Sequence, residues 1–304
     1  MTPVNYSPLA LWLAPGHGQR SLLNILLLSL NYLLMMALPL LLASMIQRRL
    51  RPGWGLFGMG AVTFVAAQAL HLPFNNLVLR SGLVPRDIAV VSNLLILSIF
   101  LGLSAGLFEE VARYLTYRFW ARAARSWPQG LILGAGHGGI ETILLGLLAG
   151  INFAVMLVVQ RGGLQTALPP ETITAVQQQY TAVFELPWYI TLFGALERLF
   201  ALALHLAASL LVMQVLVRGQ WRWLLAAIGW HALLNAVVYF VNVQWGVVAA
   251  ETALGLLSLG SLAIIFALRP PTAVPHPEPL PAPPPLRPRP ADLNDEELER
   301  SRYL

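Results

Sequence analysis

Seven long apolar runs dominate this chain and leave it one kind of fold. They lie near 22–46, 54–72, 88–112, 130–158, 188–217, 222–244 and 247–268. Crossing the hydrocarbon core of a bilayer takes about 20 apolar residues in a helix. Each run is about that long or longer, continuous, and rich in Leu and Ala rather than alternating, which excludes strands. The first ends in MIQRRLRPG, a stop-transfer pattern, and lies too far from the start and runs too long for a cleaved signal. The expectation is an all-α, polytopic transmembrane helix bundle in the cell membrane, with the lipid bilayer as its first partner.

Composition agrees. Hydrophobic residues make up 57% and charged residues 11% of the 304, against roughly 45–50% and 25% in soluble domains. So few charges could not cover a soluble surface of this size. There is no Cys, which excludes disulfide scaffolds, thiolate metal sites and cysteine nucleophiles. All 19 basic residues are Arg, so a Schiff-base lysine is also excluded. The net charge of +5 comes from arginines between spans, and nucleic acid is not an expected partner.

Those arginines predict orientation. Arg48, Arg49, Arg51, Arg113, Arg118, Arg122, Arg125, Arg218, Arg222, Arg269, Arg287, Arg289, Arg300 and Arg302 fall on one side. Arg20, Arg80, Arg86 and Arg161 fall on the other. The positive-inside bias puts the N-terminus outside and the C-terminus in the cytoplasm. Residues 1–268 then form the transmembrane domain, with an external loop at 161–187 that has room for a helix at 171–184. Residues 269–304 form a disordered, Pro-rich cytoplasmic tail holding half of the 22 prolines. One helical turn is expected near its end, in ADLNDEELERSRYL.

Chemistry is carried by the polar residues inside the spans. An ionisable side chain there costs about 2.5–3.5 kcal/mol even on the lenient insertion scale. The group comprises Glu109, Glu110, Arg113, His137, Glu141, Glu197, Arg198, His205, His231 and Asn235. At about 1.5 Å of rise per residue, all but Glu197 and its neighbour fall within one slab on the arginine-rich side of the midplane. Glu109 and Glu110 stand four and three residues before Arg113, so that Arg can hold either carboxylate. His137 and Glu141 are i,i+4, as are His231 and Asn235, and Arg198 and His205 share a face seven apart. Glycines 134, 136, 138 and 139 allow another helix or a substrate to approach His137 closely.

Adjacent carboxylates with imidazoles can deprotonate water and stabilise an oxyanion. Alternatively His137, His205 and His231 could hold a divalent metal such as zinc, with a Glu as base. The same groups could serve a proton-coupled transporter or channel, or simply hold a non-catalytic scaffold together. Either Glu109 or Glu110 should face His137 and His231 across a polar cavity opening to the cytoplasm, Glu109 being favoured. Gly102-Leu103-Ser104-Ala105-Gly106 matches a nucleophile pattern that needs a strand-to-helix elbow, and a mid-span position denies it that context. H-E-x-x-H is absent, and Asp87, Asp292 and Asp295 all lie outside the spans, which excludes an intramembrane aspartyl pair.

FEEVARY at 108–114, GHGGIE at 136–141, ERLFALALH at 197–205 and HALLN at 231–235 together resemble the YhfC family of intramembrane metalloproteases. That family is similar to the CAAX-protease and bacteriocin-processing superfamily and to PrsW-type proteases. The resemblance covers roughly residues 20–268. It implies a peptidase acting on a membrane-associated peptide or protein. It also implies that Glu109 and Glu110 are the paired glutamates with Arg113 as their partner, that a Glu and His137 activate water, and that His231 and Asn235 bind the oxyanion. The wider superfamily spaces its Arg further from the Glu pair, and Glu141 and His205 go beyond its basic pattern.

Overall fold

The structure is a computed structural model, and it describes residues 17–270, 295–300 and 302. Helix α1 spans His17–Leu50, α2 Trp54–Ser81, α3 Val91–Leu115, α4 Trp127–Gln160, α5 Pro170–Glu185, α6 Phe193–Arg218, α7 Arg222–Trp245 and α8 Val247–Ala267. A π-helical turn, Thr116–Trp120, prolongs α3, and a 3₁₀ turn, Trp188–Leu192, leads into α6. No strand occurs among the described residues. Seven of these helices are long and apolar enough to span a bilayer, one for each apolar run. The eighth, α5, falls in the loop where a helix was expected at 171–184. A separate short helix, α9 (Asp295–Arg300), lies in the C-terminal segment. Most of the Pro-rich stretch, 271–294, is outside the described residues.

The helices overrun the apolar runs that announced them. Helix α2 continues to Ser81 instead of stopping at 72, and α3 with its π turn continues to Trp120. Apolarity ends where polar side chains begin, but a backbone near lipid keeps its hydrogen bonds in the helix. Pro39 in α1 and Pro73 in α2 are accommodated within their helices.

Local chemistry sets the ends. Between α3 and α4, Arg125 donates to the carbonyls of Tyr117, Ala121 and Ala124 at 2.9–3.2 Å, capping the end of α3. Ser126 and Gln129 form a capping box that starts α4. Gly219, at φ 66°, closes α6 in the left-handed conformation. At the far end of α6, Asn31 of α1 accepts a bond from the Ala195 amide at 2.8 Å, satisfying a donor in its first turn.

Helix α6 is the axis of the bundle. In its apolar stretch 78% of residues are buried, against at most 39% in any other span. Around it the helices close on glycines. A Cβ added at Gly136 would sit 2.0 Å from the carbonyl oxygen of Phe57, and one at Gly60 would sit 2.1 Å from that of Leu133, so α2 and α4 touch backbone to backbone. Gly134 and Gly138 make the same room for α6, the latter directly against the His205 ring. Gly102 and Gly106 press α3 onto the Ala232 and Ile228 carbonyls of α7. The nucleophile-like 102–106 pattern is therefore a small-xxx-small packing motif.

Candidate active site

Five helices bring polar side chains to one point. Helix α3 supplies Glu109, Glu110 and Arg113; α4 supplies His137 and Glu141; α6 supplies Glu197, Arg198 and His205; α7 supplies His231. Helix α2 adds Gln68 and His71.

Glu109 sits at the centre. Its Oε2 lies 3.0 Å from His137 Nε2, and its Oε1 accepts a bond from Gln68 Nε2 at 3.0 Å. Arg113 Nη2 and His231 Nε2 each stand 3.9 Å from Glu109 Oε2. Its neighbour Glu110 turns about 100° away on the helix. Glu110 Oε1 is held by Arg113 Nη1 and by His231 Nδ1, the latter at 2.7 Å. The two carboxylates thus have separate settings, one bound to a guanidinium and one among imidazoles.

Hydrogen-bonding logic fixes one tautomer. Arginine only donates, so His205 Nδ1, 2.8 Å from Arg113 Nη2, must accept. Its proton is then on Nε2, which donates to Glu141 Oε2 at 2.8 Å. Glu141 Oε1 accepts in turn from Arg198 Nη1 at 2.9 Å, and Arg198 also holds Glu197. Asn235 lies one turn beyond His231, half-buried.

Burial is nearly complete. Glu110, Arg113 and His137 have no exposed surface, and His231, His205 and Glu109 keep 2, 3 and 5%. This differs from the expected cavity open to the arginine-rich side. There, Tyr117, Ile132, Leu133, Leu210 and Met213 pack into one apolar cluster, and Tyr117 is tied to Ser209 at 2.8 Å. Small residues let these helices close where hydropathy alone left room for a cleft. The polar contacts lead the other way. Glu141 and Glu197 side chains are 20 and 38% exposed, and Glu197 lies about 6 Å along α6 from its start. A second line runs along α2, from Gln68 to His71 at 3.1 Å and on to Asn75 at 2.9 Å. Both rise toward the face that carries α5.

Gln68, His71 and Asn75 did not emerge from the sequence, and Ser104 did so only within the dismissed 102–106 pattern. His71 Nε2 lies 3.1 Å from Ser104 Oγ. The signal was present, since a His inside a span carries the same cost as the others. It stands at the edge of the 54–72 run and was not among the polar residues singled out. In the structure it is ten residues, about 15 Å, from the end of α2.

The donor set fits a metal. Glu109, His137 and His205 each offer a ligand atom, all within 4.8 Å of one another. One carboxylate and two imidazoles form a zinc set. His137 Nδ1 is buried without a hydrogen-bond partner among the described residues. With Glu141 on its Nε2, His205 would ligate through Nδ1, the atom that Arg113 occupies here, so metal binding requires the guanidinium to withdraw toward Glu110. Four carboxylates face two guanidiniums, so a dication would balance the cluster. The gathered trio differs from the three-imidazole set of the sequence reading, because Glu110 engages His231 Nδ1 and leaves Glu109 as the third converging ligand.

Seven membrane-spanning helices with a buried glutamate, histidine and arginine cluster among them define a polytopic membrane protein with a metal-capable centre. The sequence model of the YhfC intramembrane metalloprotease family matches residues 34–255, and the chain belongs to that family. It is similar to the Bacillus subtilis (strain 168) protein described as "Uncharacterized membrane protein YhfC", with 30% identity over 242 residues, covering 77% of this chain and 92% of that protein. No solved structure matches it significantly.

Proposed function

We propose that this protein is an intramembrane endopeptidase that hydrolyses a peptide bond of a membrane-associated substrate. The observation that carries the reading is the convergence on Glu109 Oε2 of His137, His231 and Arg113 within 3.0–3.9 Å. The 3.9 Å between Glu109 Oε2 and His231 Nε2 is a span that one water bridges with ordinary hydrogen bonds. Glu109 takes the proton of that water as its oxygen adds to the scissile carbonyl carbon. Glu109 passes that proton to His231 Nε2, whose ring is held by its Nδ1–H on Glu110, and His231 delivers it to the leaving amine as the C–N bond breaks. Arg113 neutralises Glu110 and keeps His205 Nδ1 aimed inward. Asn235, one turn beyond His231, stands on the helix that would present a donor to the oxyanion. A divalent metal on Glu109, His137 and His205 would supply Lewis-acid polarisation of the carbonyl and a more acidic water; the proton-accepting role would then pass to His231.

Support for the peptidase over a transporter comes from packing: on the arginine-rich side of the cluster, apolar side chains fill the space between the end of α3, α4 and α6. The test is reconstitution. Purified protein in liposomes should cleave a membrane-anchored reporter, and elemental analysis should find about one metal per chain, lost in a His137→Ala, His205→Ala double variant. Cleavage that survives chelation in metal-free protein would restrict the mechanism to the Glu–His pair. Proton-coupled uptake without cleavage would replace it with the transporter.

The orientation belongs to the same proposal. With the N-terminus outside, residues 161–187 face the exterior and the segment from Arg269 onward faces the cytoplasm. Reporter fusions after residue 180 and after residue 217 should report opposite compartments. A shared compartment would remove the seven-span topology.

A further inference from the structure

One buried carboxylate takes no part in the cluster. Glu251 lies in the second turn of α8, about 6 Å along the helix from its start. Only 8% of it is exposed, and its Oε2 is buried without a hydrogen-bond partner among the described residues. Arg198, within electrostatic reach, is already held by Glu141 and Glu197. An unpaired carboxylate at this depth costs a few kcal/mol, and nothing in the catalytic arrangement requires it.

Glu251 lines a groove of about 640 Å³ between α6 and α8. Apart from Thr252 and Ser258 the remaining walls are apolar, with Phe193 and Phe200 on one side and Val248 and Leu256 on the other. Ala203, Thr252 and Gly255 keep the walls low. The lining runs from Phe193 to Ala203 on α6 and from Val248 to Leu262 on α8. That is about 15 to 21 Å of helix, half to about two-thirds of a roughly 30 Å hydrocarbon core. The groove opens sideways, where Leu256 is 65% exposed. It is long, apolar, bordered by small residues, and acidic at one end.

We propose that the α6–α8 groove docks a membrane-spanning peptide segment that carries a Lys or Arg within one to two turns of its end, on the face that carries α5. Glu251 pairs with that cation. Shape selects a helix over a compact ligand, because the groove runs along its two helices for about 15 to 21 Å. Charge selects a basic residue, because Glu251 Oε2 has no donor among the described residues. Low walls let the two backbones approach, which is what holds helices together in lipid. A long basic side chain can reach Glu251 while its stem stays in the apolar part of the groove. Identifying this segment as a substrate of the neighbouring site rests on the peptidase reading; the docking itself does not.

The chain has no Cys, so Leu256→Cys places a single thiol on the groove wall. The probe is a 21-residue Leu/Ala peptide with one central Cys and one Lys four residues from its end, co-reconstituted in liposomes and oxidised. The Lys peptide should form at least ten times more disulfide with the protein than the same peptide with Leu or Glu in place of Lys. Adding Glu251→Gln should bring the Lys peptide down to the level of the Leu peptide, whereas Glu109→Gln should leave crosslinking unchanged. Equal crosslinking by Lys and Leu peptides, or no effect of Glu251→Gln, overturns the proposal. So does a protein–protein disulfide at position 256 that the Lys peptide fails to displace, which would give this face to a second copy of the chain. The peptide comparison needs no change at Glu251, so a folding defect in that variant cannot produce the result. Cleavage is not read, which keeps failure at Glu251 distinct from failure at Glu109.

Discussion

Glu109→Gln should reduce cleavage of a membrane-anchored reporter by at least about a hundredfold, in line with the roughly 10²–10⁴-fold that a positioned acid–base group contributes. The substitution keeps the size of the side chain and its contact with Gln68 Nε2. It removes the charge that faces His137, His231 and Arg113. The variant should therefore be made and inserted normally, with an unfolding temperature in detergent close to the parent. Any metal bound by Glu109, His137 and His205 should bind more weakly. Glu197→Gln serves as the contrast. Glu197 sits at the outer end of the polar line and touches Arg198 alone of the cluster, so its loss should cost less than about tenfold, the equivalent of about 1.4 kcal/mol. A Glu109→Gln protein that cleaves at the parental rate would remove this carboxylate from the chemistry.

Arg113→Leu should be the most destabilising single change within the cluster. It leaves Glu110 buried with no cation and takes the donor from His205 Nδ1. Breaking a buried pair from one side costs about 3–5 kcal/mol, because the remaining charge is left uncompensated. Replacing both partners, Arg113→Leu with Glu110→Leu, should recover most of that loss while leaving the protein inactive. Denaturant unfolding in bicelles measures both. If the single variant lost under about 1 kcal/mol, less than the usual cost of a buried unsatisfied group, the guanidinium would not be what keeps the two glutamates in different settings.

Much of this was legible before any coordinates. Each apolar run corresponds to one helix, because only a helix satisfies its own backbone in lipid. The polar residues of α3, α4, α6 and α7 stood out for the same energetic reason, and the structure gathers them. What escaped notice lies near span edges. His71 and Glu251 sit within a few residues of where hydropathy starts or stops, and neither was singled out. Gln68 is uncharged and drew no notice in the middle of α2. Closure of the arginine-rich side could not be read either. It depends on Gly60 meeting the Leu133 carbonyl and Gly134 meeting α6, and such contacts between distant segments leave no periodic trace. Glu109 in place of His231 among the converging ligands has a similar origin, since Glu110 and His231 come from helices 121 residues apart in sequence.

The central position of α6 has a consequence for how the protein is made. Helices α1 to α4 leave the ribosome first, and the span around which they pack follows only after α5. Until it arrives, the glycine face of α4 has no partner at Gly134 and Gly138. Arg113 lacks His205, and Glu141 lacks both His205 and Arg198. The nascent chain therefore holds charged side chains in the bilayer with only part of their eventual company, and His231 is still to come. Insertion of α6 supplies partners for Arg113, Glu141 and the α4 glycines together. A ribosome stalled before Phe193 would present the membrane quality-control machinery with α3 and α4 bearing charges it could recognise as orphaned.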